Sequence, residues 1–196
     1  MRIFASVIAL TLAFVSAVSF ASSFREGVHY IHVDMAASES PNITFFHSPY
    51  CGPCAMVHEP IINLASTNNI RLREVIVAMG PAGECIQQGY VVANRQNKAH
   101  SYIRKLIRRI HFTRDHTPKN RDDISQILEE SGVEVGEFDT PSQCVINEVN
   151  KQNQLVKQYQ IRQTPTIIVN GNKQIVLPSL KNMEELRELI LKLYNR

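Results

Sequence analysis

The chain has 196 residues, of which 44% are hydrophobic and 20% charged, and 21 Lys and Arg against 18 Asp and Glu leave a net charge of +3. That length suits one domain carrying a substantial insertion, and the composition excludes a disordered tail, a collagen-like chain and a coiled coil. The charge is too balanced to imply nucleic-acid binding, and four cysteines are too few for a disulfide-built scaffold, so each has its own chemistry to explain.

Residues 1–21 have the shape of a signal peptide: one cation, Arg2, then an uncharged apolar stretch, with the small residues Ser19 and Ala21 placed for cleavage before Ser22. An uncleaved membrane anchor is the competing reading, because the stretch nearly reaches the ~20 residues of a spanning helix. No later run is long enough to cross a bilayer, so the mature protein is expected to be soluble in an exported, oxidising compartment.

Residues 28–33 are β-branched and aromatic and predict a strand, and 36–41 a loop. A short apolar strand over 43–47 leads directly into Cys51-Gly52-Pro53-Cys54, followed by a helix over 55–65 kinked at Pro60 and a third strand over 71–77. From 81 to 158 the apolar residues recur at helical spacing, as in Tyr102, Ile103, Leu106, Ile107 and Ile110, and predict four or five short helices. Strand character returns over 166–169 and 174–177, joined by the hairpin signal Asn170-Gly171, and an amphipathic helix over 181–194 closes the chain.

A Cys-x-x-Cys pair holds either half of a zinc site or a dithiol that cycles through a disulfide, and a purely structural bridge is a third use. Zinc needs two more ligands at short spacing, and Cys85 and Cys144 stand alone. A strand followed by a helix favours redox chemistry. The unpaired N–H groups and dipole of a helix N-terminus stabilise negative charge on the Cys51 sulfur, while Cys54, one turn in, is shielded and suited to resolve. Pro53 is tolerated there because its missing N–H would have had no intrahelical partner.

Gln163-Thr164-Pro165-Thr166 before the returning strand is, alone, an ordinary strand boundary. Together with the upstream cysteines it resembles the cis-proline segment of the thioredoxin fold. The helical stretch between the two halves narrows the resemblance to the DsbA family of periplasmic thiol:disulfide oxidoreductases. It covers the mature chain, from Phe24-Arg25-Glu26-Gly27-Val28-His29-Tyr30 through Phe45-Phe46 and Cys51–Cys54 to residues 164–171.

The resemblance implies an α/β thioredoxin fold, discontinuous over 22–80 and 159–196, with an inserted helical domain over 81–158. It implies Cys51 as nucleophile, Cys54 as resolving thiol and Pro165 as a cis-proline. Substrate peptide would be held by Thr164, whose backbone takes it as an added strand, with Pro165, Gly52 and Pro53 alongside. No cofactor or metal is expected. The implied partners are reduced or unfolded exported proteins and a quinone-linked membrane protein that reoxidises the dithiol, with the protein itself a monomer. Two departures stand out. Gly52-Pro53 is the dipeptide of thioredoxin rather than the Pro-His of the best-known DsbA enzymes, and the active-site strand lacks the family's buried acid, with Thr44 preceding Phe45-Phe46. A redox potential between those of DsbA and thioredoxin is expected.

Cys85 and Cys144 are read as a structural disulfide closing a loop of about 60 residues, with buried free thiols or a second redox pair relaying electrons as the alternatives. His47 and His58 flank the cysteines, as polar contacts at a cleft edge or as groups that tune Cys51. His111 and His116 have a poor spacing for a shared metal, and Arg104, Lys105, Arg108 and Arg109 read as a solvated basic face. Three functions remain open: a dithiol oxidase of exported proteins, a reductase or isomerase using the same thiols, and a non-enzymatic metal-carrier or peptide-binding module. A dimeric isomerase is disfavoured by the short segment before the active-site strand.

Overall fold

The computed structural model describes residues 24–113 and 117–195, so the proposed signal peptide and His116 lie outside the described residues. Five strands form one mixed sheet: β1 (Tyr30–His32), β2 (Ile43–His47), β3 (Leu72–Ile76), β4 (Thr166–Val169) and β5 (Lys173–Ile175). Their order is β1-β5-β4-β2-β3, with β2 parallel to β3 and the other pairs antiparallel. β2 and β4 are buried along their whole length, which is why both read as continuous apolar runs rather than alternating ones. The chain thus adopts the α/β, thioredoxin-like arrangement anticipated for it, with the helical segment entered after β3 and left before β4.

Alternation along β2 sends its side chains to two different layers. Ile43 and Phe45 meet α1 (Gly52–Thr67) and α7 (Met183–Tyr194) through Ile61, Leu64, Leu189, Ile190 and Leu193. Phe46, with Val75 and Ile168, faces Leu155, Val156 and Tyr159 of α6 (Gln143–Gln158). Beyond it, α2 (Gly83–Arg95), α3 (Ala99–Phe112), α4 (Arg121–Glu130) and the single-turn α5 (Gly136–Asp139) share a separate apolar core built on Ile86, Val92, Tyr102, Leu106, Ile127 and Phe138.

Several boundaries differ from the sequence expectation, and two of them trace to a proline. α1 runs through Pro60 to Thr67, because the buried Ile61, Leu64 and Ala65 anchor the turns after the proline that loses one backbone hydrogen bond. β5 stops at Ile175, since Pro178 draws Leu177–Ser179 into a 3-10 turn. The hairpin turn is as expected from Asn170-Gly171, both at positive φ, 51° and 79°.

Candidate active site

Cys51 is the N-cap of α1: its backbone is extended, with φ −84° and ψ 112°, and its sulfur accepts the Cys54 N–H at 3.2 Å. A thiol can serve as this cap because the first-turn N–H groups have no carbonyl partner. Gly52 and Pro53 are exposed, so the turn stands at the surface while Cys51 is 9% and Cys54 1% exposed. Burial pushes the Cys54 thiol up to about 12, and the neighbouring Cys51 sulfur adds to the shift. One sulfur therefore sits where a helix terminus favours negative charge, and the other where charge is penalised.

The turn is pinned from the helical layer. Tyr50 donates its hydroxyl to the Pro118 carbonyl at 2.5 Å and accepts the Ala82 N–H at 3.3 Å. Gly80, at φ 78°, lies against its ring, and a Cβ there would stand 2.6 Å from a ring carbon. His111 of α3 bonds the Pro49 carbonyl at 2.8 Å, so it braces the turn.

The Thr164–Pro165 peptide is cis, and the Cys51 thiol lies 3.3 Å from the Thr164 carbonyl oxygen. Residues 113 positions apart thus meet at the sulfur, with the segment entering β4 placing Thr164 and Pro165 beside the start of α1. An open cleft of about 400 Å³ continues from there, lined mainly by apolar groups including Pro53, Val57, Pro165, Leu177 and Met183. Met56, Met79 and Phe112, 78%, 42% and 75% exposed, add apolar surface on α1, beside Thr164 and at the end of α3.

His47 and His58 are not at a cleft edge: both are fully buried, and both ring Nε2 atoms meet the same Glu74 oxygen, at 3.0 and 2.9 Å. Register explains the convergence, since Glu74 lies on the α1 side of β3, near His47 of β2, with His58 one turn beyond Cys54 on α1. Burial raises the Glu74 carboxyl, but the hydrogen bonds from the two histidines overcome it and hold the group at about 2. Burial pushes His47 below its ordinary value against the opposing pull of Glu74. Both Nδ1 atoms are buried without a hydrogen-bond partner, although the Glu59 carboxylate stands 4.0 Å from that of His58. The three ligand-type atoms lie within 4.8 Å of one another. A metal there would require both ring protons to move to Nδ1, where His47 meets no acceptor, so the residues suit a hydrogen-bonded triad better than a metal centre. Glu74 was missed in the sequence; the available signal was an acid sharing the inward face of Leu72 and Ile76.

The structure does not join Cys85 to Cys144, and all four thiols are free. Cys85, in the first turn of α2, neighbours Tyr50 and Tyr102. Cys144 is exposed at the start of α6, where its electrostatic neighbour is Arg95 at the far end of α2, ten residues or about 15 Å along the helix from Cys85. The expected bridge is therefore absent, and the structure carries Cys85 half-buried and Cys144 exposed as separate free thiols. On the α3 face, Lys105 and Arg109 are tied to Glu130 and are not free cations.

The family described as DSBA-like thioredoxin domain matches residues 28–191. A thiol:disulfide interchange protein DsbA of Pectobacterium carotovorum subsp. carotovorum is 25% identical over 182 residues, 89% of this chain and 86% of the relative. Its counterpart in Haemophilus influenzae is 25% identical over 166 residues, 80% of this chain and 79% of the relative. Among solved structures, a DsbA disulfide interchange protein from Klebsiella pneumoniae superposes with a TM-score of 0.79 at 22% identity, covering 90% of this chain and 100% of that one. A Proteus mirabilis DsbA with a non-covalently bound peptide gives 0.79 at 18% identity, over 89% and 100%.

Proposed function

Because the chain belongs to the DSBA-like thioredoxin domain family, we propose that it is a thiol:disulfide oxidoreductase that donates a Cys51–Cys54 disulfide to exported proteins in the periplasm. The observation that carries this reading is the asymmetry of the two sulfurs: Cys51 at a helix N-terminus beside Thr164, Cys54 buried behind it.

In the oxidised enzyme a substrate thiolate attacks the Cys51 sulfur. The Cys51–Cys54 bond breaks, and Cys54 leaves with the electron pair and takes up a proton, as its raised pKa favours. A second substrate thiolate then attacks the substrate sulfur of the mixed disulfide. Cys51 departs as a thiolate that the Cys54 N–H stabilises. The substrate loses two electrons and two protons to form its disulfide, and the enzyme is left as a dithiol. A quinone-linked membrane protein of the DsbB type then reoxidises it. Peptide lies along Thr164 and Pro165 with Gly52 and Pro53 beneath it, and the exposed Met56, Met79 and Phe112 favour unfolded, apolar segments. A Proteus mirabilis DsbA of similar fold holds a non-covalently bound peptide, which supports peptide binding as a role of this chain. Within this proposal residues 22–80 and 159–196 carry the chemistry and 81–158 wall it.

Gly52-Pro53 favours a second reading, a reductase or isomerase, because no side-chain donor stands between the cysteines. Equilibrating the protein with glutathione buffers and trapping free thiols for mass measurement separates the two. We expect a potential between those of DsbA and thioredoxin, and a value at or below thioredoxin's overturns the oxidase assignment. Cys51→Ser should abolish oxidation of reduced substrate proteins, whereas Cys54→Ser should accumulate mixed disulfides through Cys51.

A further inference from the structure

β3 is an edge strand, and its two sides are satisfied differently. In the parallel register with β2, Ile43 donates to the Arg71 carbonyl at 2.9 Å and Val77 donates to the His47 carbonyl at 2.8 Å. The odd-numbered residues of β3 therefore bond inward, and the backbone groups of Leu72, Glu74 and Ile76 point away from the sheet. Those of Ile76 are closed by side chains: its N–H donates to Gln152 Oε1 and its carbonyl accepts from Gln87 Nε2, both at 2.8 Å. Leu72 and Glu74 have no such partner among the described residues.

The open stretch faces a cleft of about 580 Å³ between β3, α2 and α6. Arg71, Arg73, Arg95 and Lys151 line it, against the acids Glu148 and Glu74. Glu74 is turned through the sheet to the two histidines, and Arg95 and Lys151 are engaged by Glu137 and Glu148. Arg71 and Arg73 form no ion pair among the described residues. Arg73 lies on β3 and Arg71 immediately before it in the same extended register, so they project to the same side, the α6 side, while the two open residues, Leu72 and Glu74, lie between them or next to them.

We propose that this edge is a docking site for an extended acidic segment of a partner protein. The segment adds to β3 as a sixth strand, exchanging main-chain hydrogen bonds with Leu72 and Glu74. Acidic side chains two apart along it meet Arg71 and Arg73. Cations on an edge strand also deter unwanted pairing, but here the end at Ile76 is already closed by two glutamines, and the charge is concentrated where the backbone is open and a cleft receives it. The site lies on the strand beyond β2 and uses neither active-site sulfur, so its failure would leave the redox assignment standing.

The test is binding of an end-blocked, fluorescein-labelled octapeptide of alternating Glu and Val, followed by anisotropy, with amide exchange of the complex. We expect slowed exchange at Leu72 and Glu74, affinity lost about tenfold or more in Arg71→Glu/Arg73→Glu, and a comparable loss when the peptide amides facing β3 are N-methylated. Both arginines are exposed, so the variant should fold and keep its oxidase activity. Equal affinity for the methylated peptide, indifference to the double variant, or protection appearing at Thr164 instead would each overturn the proposal. So would a concentration-dependent dimer lost in Arg73→Glu, which would give the edge to a second copy of the chain.

Discussion

The helical layer and the sheet that it walls bury different things. The core shared by α2 to α5 is almost wholly apolar: Ile86, Val92, Tyr102, Ile103, Leu106, Ile124, Ile127, Leu128 and Phe138 are all at or near zero exposure. Under the active-site turn, by contrast, β2, β3 and α1 enclose two histidines and a carboxylate. An apolar core is the less costly way to fix helices, since buried charge must recover its lost hydration from partners. Polar groups are thus gathered beneath the reactive turn, whereas the helical layer contributes the supports of Tyr50 and His111.

That contrast can be broken from the helical side first. Leu106→Ala should lower stability by about 3–4 kcal/mol through the cavity it leaves, seen as a lower denaturant midpoint, with the dithiol potential of the folded protein unchanged. A shift in potential would show that the helical core is coupled to the chemistry. On the sheet side, Glu74→Ala leaves two buried imidazole N–H groups without an acceptor and should cost about 3 kcal/mol, with Glu74→Gln losing less because its carbonyl can still accept. Equal losses in the two variants would argue that packing, not the hydrogen bonds, holds the triad.

Acid should find the same region. His47 is held neutral, below its ordinary 6.5, and Glu74 is held ionised to about 2 against an ordinary 4.5. The unfolded chain therefore takes up protons that the folded one refuses, first as pH falls through about 6.5 and then between about 4.5 and 2. Stability should fall in these two windows as pH drops below 6.5, and Glu74→Gln should shrink the lower one in a pH series of denaturant midpoints, leaving the smaller share of the surface residues Glu130, Glu137 and Glu184. The smallest effect is expected at the helix surface: Cys144→Ser should change stability by no more than about 0.5 kcal/mol, and Cys144 should alkylate faster than Cys85 in the native protein. A loss of several kcal/mol would restore the bridge between Cys85 and Cys144.

Local signals were sufficient for much of this molecule. The apolar runs of β2 and β4, the Asn170-Gly171 turn, the helical periodicity after Pro81 and the Cys51–Cys54 turn each depend on neighbours within a few residues, so the sequence by itself determined those elements and, through their order, the fold class. What it left open depended on partners distant in the chain. Glu74 reads as one acid on an alternating strand until β2 and α1 bring His47 and His58 against it. Cys85 and Cys144 look pairable until packing leaves one half-buried and the other exposed, both as free thiols. The open edge at Leu72 and Glu74 exists only because β3 falls last in the sheet. Burial, pairing and strand order are properties of the packed chain, and each of these groups takes its charge state or its partner from them.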